Sequence, residues 1–252
     1  METLSPQALA VIEKYLRLPL GCGCQTPYFN NRRKRVRGGL RALVGKGTPE
    51  EIAEEGGILA VKDRVSIKNM NDETLKKFLV DENLGIDCSG FAYHILDAEA
   101  QTRINKKLRA IIKPYKGLER KIIYLFRPAE NSDVTTISHE KNSAEIKASD
   151  AKPGDFISIL ESEISRNHIM IIEKVAKENE NIILYYAHSI ALPEEGVYGH
   201  GVRRGKISFN KNQNIVDGIW EEMTKENLGK TMQSISKRAK VFSLRRLRAF
   251  CI

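Results

Sequence analysis

The sequence holds only four cysteines in 252 residues, at positions 22, 24, 88 and 251. That is too few for a disulfide scaffold in a chain of this length. Cys22-Gly23-Cys24 supplies two thiols, but no second Cys pair or His pair stands nearby to complete a four-ligand zinc site. No metal and no cofactor is expected. Long apolar runs are missing as well: nowhere do eighteen apolar residues follow one another, so no transmembrane segment is expected. The first twenty residues lack the unbroken apolar stretch of a secretion signal, because Glu2, Glu13, Lys14 and Arg17 interrupt it. The expected location is therefore cytoplasmic. Aromatic residues do not interleave with the arginines at 32–41, which argues against stacking on single-stranded nucleic acid. No internal repeat is present. A hydrophobic share of 41% is ordinary for a globular chain.

Charge is abundant and uneven. The net charge is +9, and two stretches carry the excess. Segment 30–49 contains Arg32, Arg33, Lys34, Arg35, Arg37, Arg41 and Lys46 with no acid; segment 225–248 sets eight basic residues against Glu226 alone. Such stretches can meet an anionic partner or pair with the acidic remainder of the chain, and the second use is favoured on charge alone.

Helix signals dominate the first half. Ser5-Pro6 caps a helix with Leu9, Ile12 and Leu16 on one stripe. Thr48-Pro49-Glu50-Glu51 is a capping box and predicts a helix over 49–60. A third helix is predicted over 72–83, and a fourth after Cys88, persisting as far as Ile112. Lys121 to Phe126 reads as a strand, and 129–150 as polar loop. Strands are predicted at 156–160, 168–175, 182–187 and 202–209, with an amphipathic helix at 215–223. Helices first and strands afterwards suggest an α+β fold.

Cys88 lies where a loop turns into a helix. The helix dipole favours a thiolate by about 0.3–1 kcal/mol, at most ~2, which moves the thiol by roughly one pKa unit. A nucleophilic Cys88 therefore needs a histidine partner in space. Of the five histidines, His94 lies on the same predicted helix but on another face, and His139 sits in a polar loop. His168 opens an apolar strand, a rigid platform for a base. His188 closes the next strand and could orient His168 as the third member of a triad; His200 is the rival.

Four segments together resemble the NlpC/P60 family of papain-like cysteine peptidases. Asp87-Cys88-Ser89-Gly90-Phe91 is similar to that family's nucleophile motif, and Lys152-Pro153-Gly154-Asp155-Phe156 to its Pro-Gly-Asp segment. Asn167-His168-Ile169-Met170-Ile171 and Tyr186-Ala187-His188-Ser189 are similar to its base strand and the strand after it. The likeness spans 84–209. It implies a papain-like α+β fold, with the nucleophile helix packed on an antiparallel sheet. It also implies amide hydrolysis, with peptides of the cell-wall kind as substrates. Cys88 would be the nucleophile, His168 the base and His188 its orienting partner. Asp87 and Ser89 would bind the amino end of the substrate. Three departures stand out. Segment 103–149 reads as an insertion, Met170 replaces a glycine beside the base, and no tyrosine shortly precedes Cys88; Tyr28 is the candidate to substitute for one, with packing as its other role. The chain thus divides into a helical, basic extension (1–60), a catalytic domain (61–226) and a basic tail (227–252). A transferase on the same Cys-His machinery, or a non-catalytic module using the basic segments, are the alternatives.

Overall fold

The computed structural model describes residues 2–31, 40–115, 117–162, 167–224 and 227–251. Five of the seven basic residues of segment 30–49, Arg32 to Arg35 and Arg37, lie outside the described residues. The fold is α+β, and its sheet is antiparallel throughout. The strands are β1 (Glu2–Thr3), β2 (Ser143–Glu145), β3 (Phe156–Leu160), β4 (His168–Glu178), β5 (Asn181–Ile190), β6 (Gly201–Asn210), β7 (Ile219–Glu222) and β8 (Val241–Leu247). Their order is β2-β8-β3-β4-β5-β6-β7, and β1 lies beside β4 beyond the end of β3.

Alternation along the strands sends residues to two cores. Phe156, Ile169, Ile171 and Ala187 face the helices, where they meet Phe91, Ile95 and Leu96 of the Cys88–Ile104 helix. Ile157, Met170, Ile172, Leu184 and Tyr186 face the other way, against Trp220, Met232 and Leu244. Both ends of the chain belong to this body. The Pro6–Leu16 helix packs on the cysteine helix, with the Tyr15 and Phe91 rings edge to face at 5.4 Å. β8, from the segment read as a basic tail, sits inside the sheet between β2 and β3. Its charges are largely used internally: Arg246 forks onto Asp155 at 2.7 and 2.8 Å, Lys240 pairs with Glu161, and Lys237 with Asp217.

Three expectations are corrected. Segment 121–126 is not a strand but part of a helix, Leu118–Phe126. Its five consecutive apolar residues carry no period, and only Tyr124 among Lys121 to Phe126 turns inward. Segment 215–223 is not a helix. A single turn, Ile215–Asp217, leads through Gly218 into β7, where burial of Trp220 and Glu222 alternates with exposure of Ile219. The cysteine helix does not run to Ile112; it stops at Ile104, where Asn105 takes a left-handed conformation, and a short helix follows at Leu108–Ile111. The capping box at Thr48 forms, with both reciprocal bonds, and starts a helix over Pro49–Lys62.

Candidate active site

Cys88 is the first residue of its helix, and Asp87 caps it by accepting from the Gly90 N–H at 2.7 Å. The cap leaves the N–H groups of Cys88 and Ser89, first-turn donors with no acceptor inside the helix. The helix start is held by the loop Gly45-Lys46-Gly47. Each carbonyl of that loop accepts from a different partner: Gly45 from Asp87 N–H at 3.0 Å, Lys46 from His94 Nε2 at 2.9 Å and Gly47 from Tyr15 Oη at 2.7 Å. Glycine is required at position 45. The residue has φ +73°, and a Cβ there would sit 2.3 Å from the Phe29 carbonyl oxygen. The loop delivers the buried Lys46 ammonium to Asp87 Oδ1 at 2.8 Å and Ser89 Oγ at 2.5 Å. Lys46 was visible in the sequence only as part of a basic stretch. Asp87 and Ser89, expected to bind substrate, are both buried in this network, and Ser89 also donates to Asp87 at 3.1 Å.

The thiol of Cys88 donates to the Asn167 carbonyl at 3.8 Å, one residue before His168. The backbone N–H groups of Ile169 and Ser89 favour its anion, as does Lys46. Burial outweighs them, with Asp87 adding to it, and the thiol is pushed up to about 12. Cys88 and His168 are 6% and 8% exposed, so each keeps a small opening to solvent.

His168 stands at the start of β4. Its Nε2 meets Nδ1 of His188 on β5 at 2.8 Å. His188 Nε2 in turn meets Glu222 Oε2 on β7 at 3.1 Å, and Tyr186 donates to Glu222 Oε1 at 2.6 Å. The chain of bonds fixes the tautomers. A carboxylate only accepts, so His188 donates from Nε2; its Nδ1 then accepts from His168 Nε2–H. With one proton per ring, the lone pair of His168 lies on Nδ1, the nitrogen not used by the relay. His168 is held well below its ordinary value by burial first, then by His188 and Arg203.

Glu222 is a residue that sequence reading missed, because segment 215–223 read as a helix. A signal did exist in Gly205 of β6, which lies in register between Tyr186 and Glu222. A Cβ on Gly205 would come within 2.4 Å of Tyr186 Oη, so glycine opens the path from β5 to β7.

Sulfur and imidazole therefore flank the same turn of backbone. Among the described residues no hydrogen bond joins them: the thiol bonds to Asn167, and the ring of His168 bonds to His188 on the sheet face turned away from the cysteine helix. The other histidines lie apart from this pair. His94 bonds to Lys46, His139 stacks on Tyr115 with ring centroids 3.9 Å apart, and His200 donates to the Leu192 carbonyl at 2.8 Å. Tyr28 is brought beside the motif by a parallel bridge to Ile86. Cys22 is exposed and Cys24 buried, and among the described residues no group of three or more His, Cys, Asp or Glu could hold a metal. None of the described helices is long and apolar enough to cross a membrane. No family model, curated protein or solved structure matches the chain.

Proposed function

We propose that the chain is a cysteine hydrolase of the papain-like NlpC/P60 kind, which cleaves an amide bond through a thioester on Cys88. The observation that carries this reading is the buried relay His168–His188–Glu222, whose first member directly follows Asn167, the residue whose carbonyl accepts from the Cys88 thiol. Burying three titratable groups in a row is costly for stability alone.

The proposed reaction needs the His168 ring to swing toward Cys88, and the thiol proton then leaves the Asn167 carbonyl for that ring as sulfur bonds to the substrate carbonyl carbon. The resting pair is neutral, so His168 acts as a general base rather than as the partner of a standing thiolate. The oxyanion is met by the N–H groups of Cys88 and Ser89 at the helix start. Collapse breaks the C–N bond, and the amine leaves with the proton from His168. Water then attacks the thioester, with His168 again taking the proton; the C–S bond breaks, the acid departs, and His168 returns the proton to the Cys88 sulfur. The amide class follows from this machinery, and peptides of the cell-wall kind follow from the resemblance. An amine in place of water would make the same site a transferase.

Labelling with a peptidyl vinyl sulfone tests the reading, with peptide mapping by mass spectrometry. Adduct is expected on Cys88 in the native protein. His168→Ala should slow it by about 10²–10⁴-fold, and turnover of peptide amides should vanish in Cys88→Ala. Labelling confined to the exposed Cys22 and Cys251, and unchanged by His168→Ala, would sink the proposal.

A further inference from the structure

The Leu118–Phe126 helix is amphipathic in the wrong sense for a core helix. Tyr124 is buried at 3%, whereas Ile122, Ile123, Leu125 and Phe126 are 56%, 47%, 68% and 82% exposed. At 100° per residue these four cover an arc of about 160°, with Tyr124 on the opposite side and Lys121 at the arc's edge. From Lys121 to Phe126 only Tyr124 turns toward the body, and a wide apolar face looks outward. A face of this kind marks a contact surface.

Its setting says what the surface meets. Between Arg103 and Arg127 the sequence has nine basic residues and a single acid, Glu119. Lys106, Lys107, Arg109, Lys113 and Lys121 are all exposed. This third basic stretch gathers four exposed large apolar side chains on one helix, whereas the described residues of segments 30–49 and 225–248 expose one each, Leu40 and Val241. A second copy of the chain would bring one such cationic surface against another, which like-charge repulsion opposes. A lipid bilayer with anionic headgroups complements both parts, with acyl chains for the apolar arc and phosphate for the lysines.

We propose that this helix docks the protein on an anionic membrane surface, with Ile122, Leu125 and Phe126 entering the headgroup region and the neighbouring lysines and arginine contacting lipid phosphates. The docking does not depend on the hydrolase reading.

Co-sedimentation of the full chain with vesicles tests it, using phosphatidylcholine alone and phosphatidylcholine with phosphatidylglycerol. Binding is expected on the mixed vesicles, weakening as salt is raised. The Leu125→Glu/Phe126→Glu double variant, altered only at exposed positions, should lose roughly tenfold or more of it. Lys106→Glu/Lys107→Glu should weaken binding while leaving the apolar face intact. Absence of binding at low salt, or equal binding by the double variant, overturns the proposal. So does a concentration-dependent dimer that the double variant abolishes, because the face would then belong to a second copy.

Discussion

Cys88 and His168, the proposed nucleophile and base, are supported in different ways. Around Cys88 the support is mostly backbone, with the three carbonyls of Gly45-Lys46-Gly47 each tied to one donor and a single ion pair laid over the helix cap. Around His168 it is a relay of side chains that crosses from β4 to β5 and, over Gly205, to β7. Backbone carbonyls hold a position and do not themselves titrate, although one of the three takes its bond from the His94 imidazole. A relay of imidazoles and a carboxylate fixes tautomers as well, and responds to pH. Damage to the first half should therefore appear mainly as lost stability, and damage to the second mainly as altered chemistry.

Lys46→Met should break the comparison hardest on the nucleophile side. It removes one partner of a buried pair and strands the Asp87 charge, which costs about 3 kcal/mol. Asp87 keeps Ser89 Oγ and the Gly90 N–H, so the helix cap survives. The double variant Lys46→Met/Asp87→Asn should recover part of the loss, since no charge is then left unpaired. Urea unfolding of the four corners of this cycle gives the coupling directly. Additive losses would mean that the pair is not the structural tie described. Iodoacetamide modification of Cys88 in Lys46→Met, measured in native conditions, should slow, because Lys46 is one of the groups that favour the thiolate.

Glu222→Gln tests the base side with a milder change in shape. Glutamine retains one oxygen for Tyr186 or for His188 but cannot serve both in the way a carboxylate does. The stability loss should be about 1–3 kcal/mol. The larger effect should fall on turnover. If the amide turns its NH2 toward His188, that ring must donate from Nδ1, His168 must reverse its tautomer, and the lone pair leaves His168 Nδ1. A fall of roughly 10²-fold in kcat, with KM little changed, is expected. Unchanged kcat alongside reduced stability would show that the relay only packs the sheet.

These contrasts also explain what could be read from the chain beforehand. Cys88, His168 and His188 were legible because each stands at the edge of an element with a clear period: a capped helix or an apolar strand. Asp87 and Ser89 were legible as motif residues, but their Lys46 partner was not, since contact across 41 positions leaves no local pattern. Glu222 was hidden for a similar reason. The run Ile215 to Met223 has apolar residues at spacings that suit a helix, and only tertiary pairing with β6 makes Trp220 and Glu222 alternate inward. β8 carries Arg245 and Arg246 in mid-strand, and so read as a charged tail; Ser143 and Asp155 supply the partners that let it lie inside the sheet. The α+β class and the strands from 156 to 209 needed no such help, because their apolar runs and the turn residues between them are local signals.

The smallest expected effect concerns acid. In the folded protein His168 sits below its ordinary value of about 6.5, chiefly because burial disfavours the imidazolium. An unfolded chain therefore binds more protons than the folded one as pH falls below about 6.5. The stability this ring contributes is complete above that pH, and it is lost as pH drops through the folded value. Each unit of depression is worth about 1.4 kcal/mol. The same neutrality keeps His168 available as a base, so the acid limb of turnover should lie below pH 6.5 rather than at it. Denaturant melts of the native protein and of His168→Asn between pH 7.5 and 5 should converge as pH falls, because only the native ring resists protonation. Parallel curves over that range would mean that the ring charges as freely folded as unfolded, and the relay would then have no claim on the tautomer that leaves Nδ1 free for the thiol.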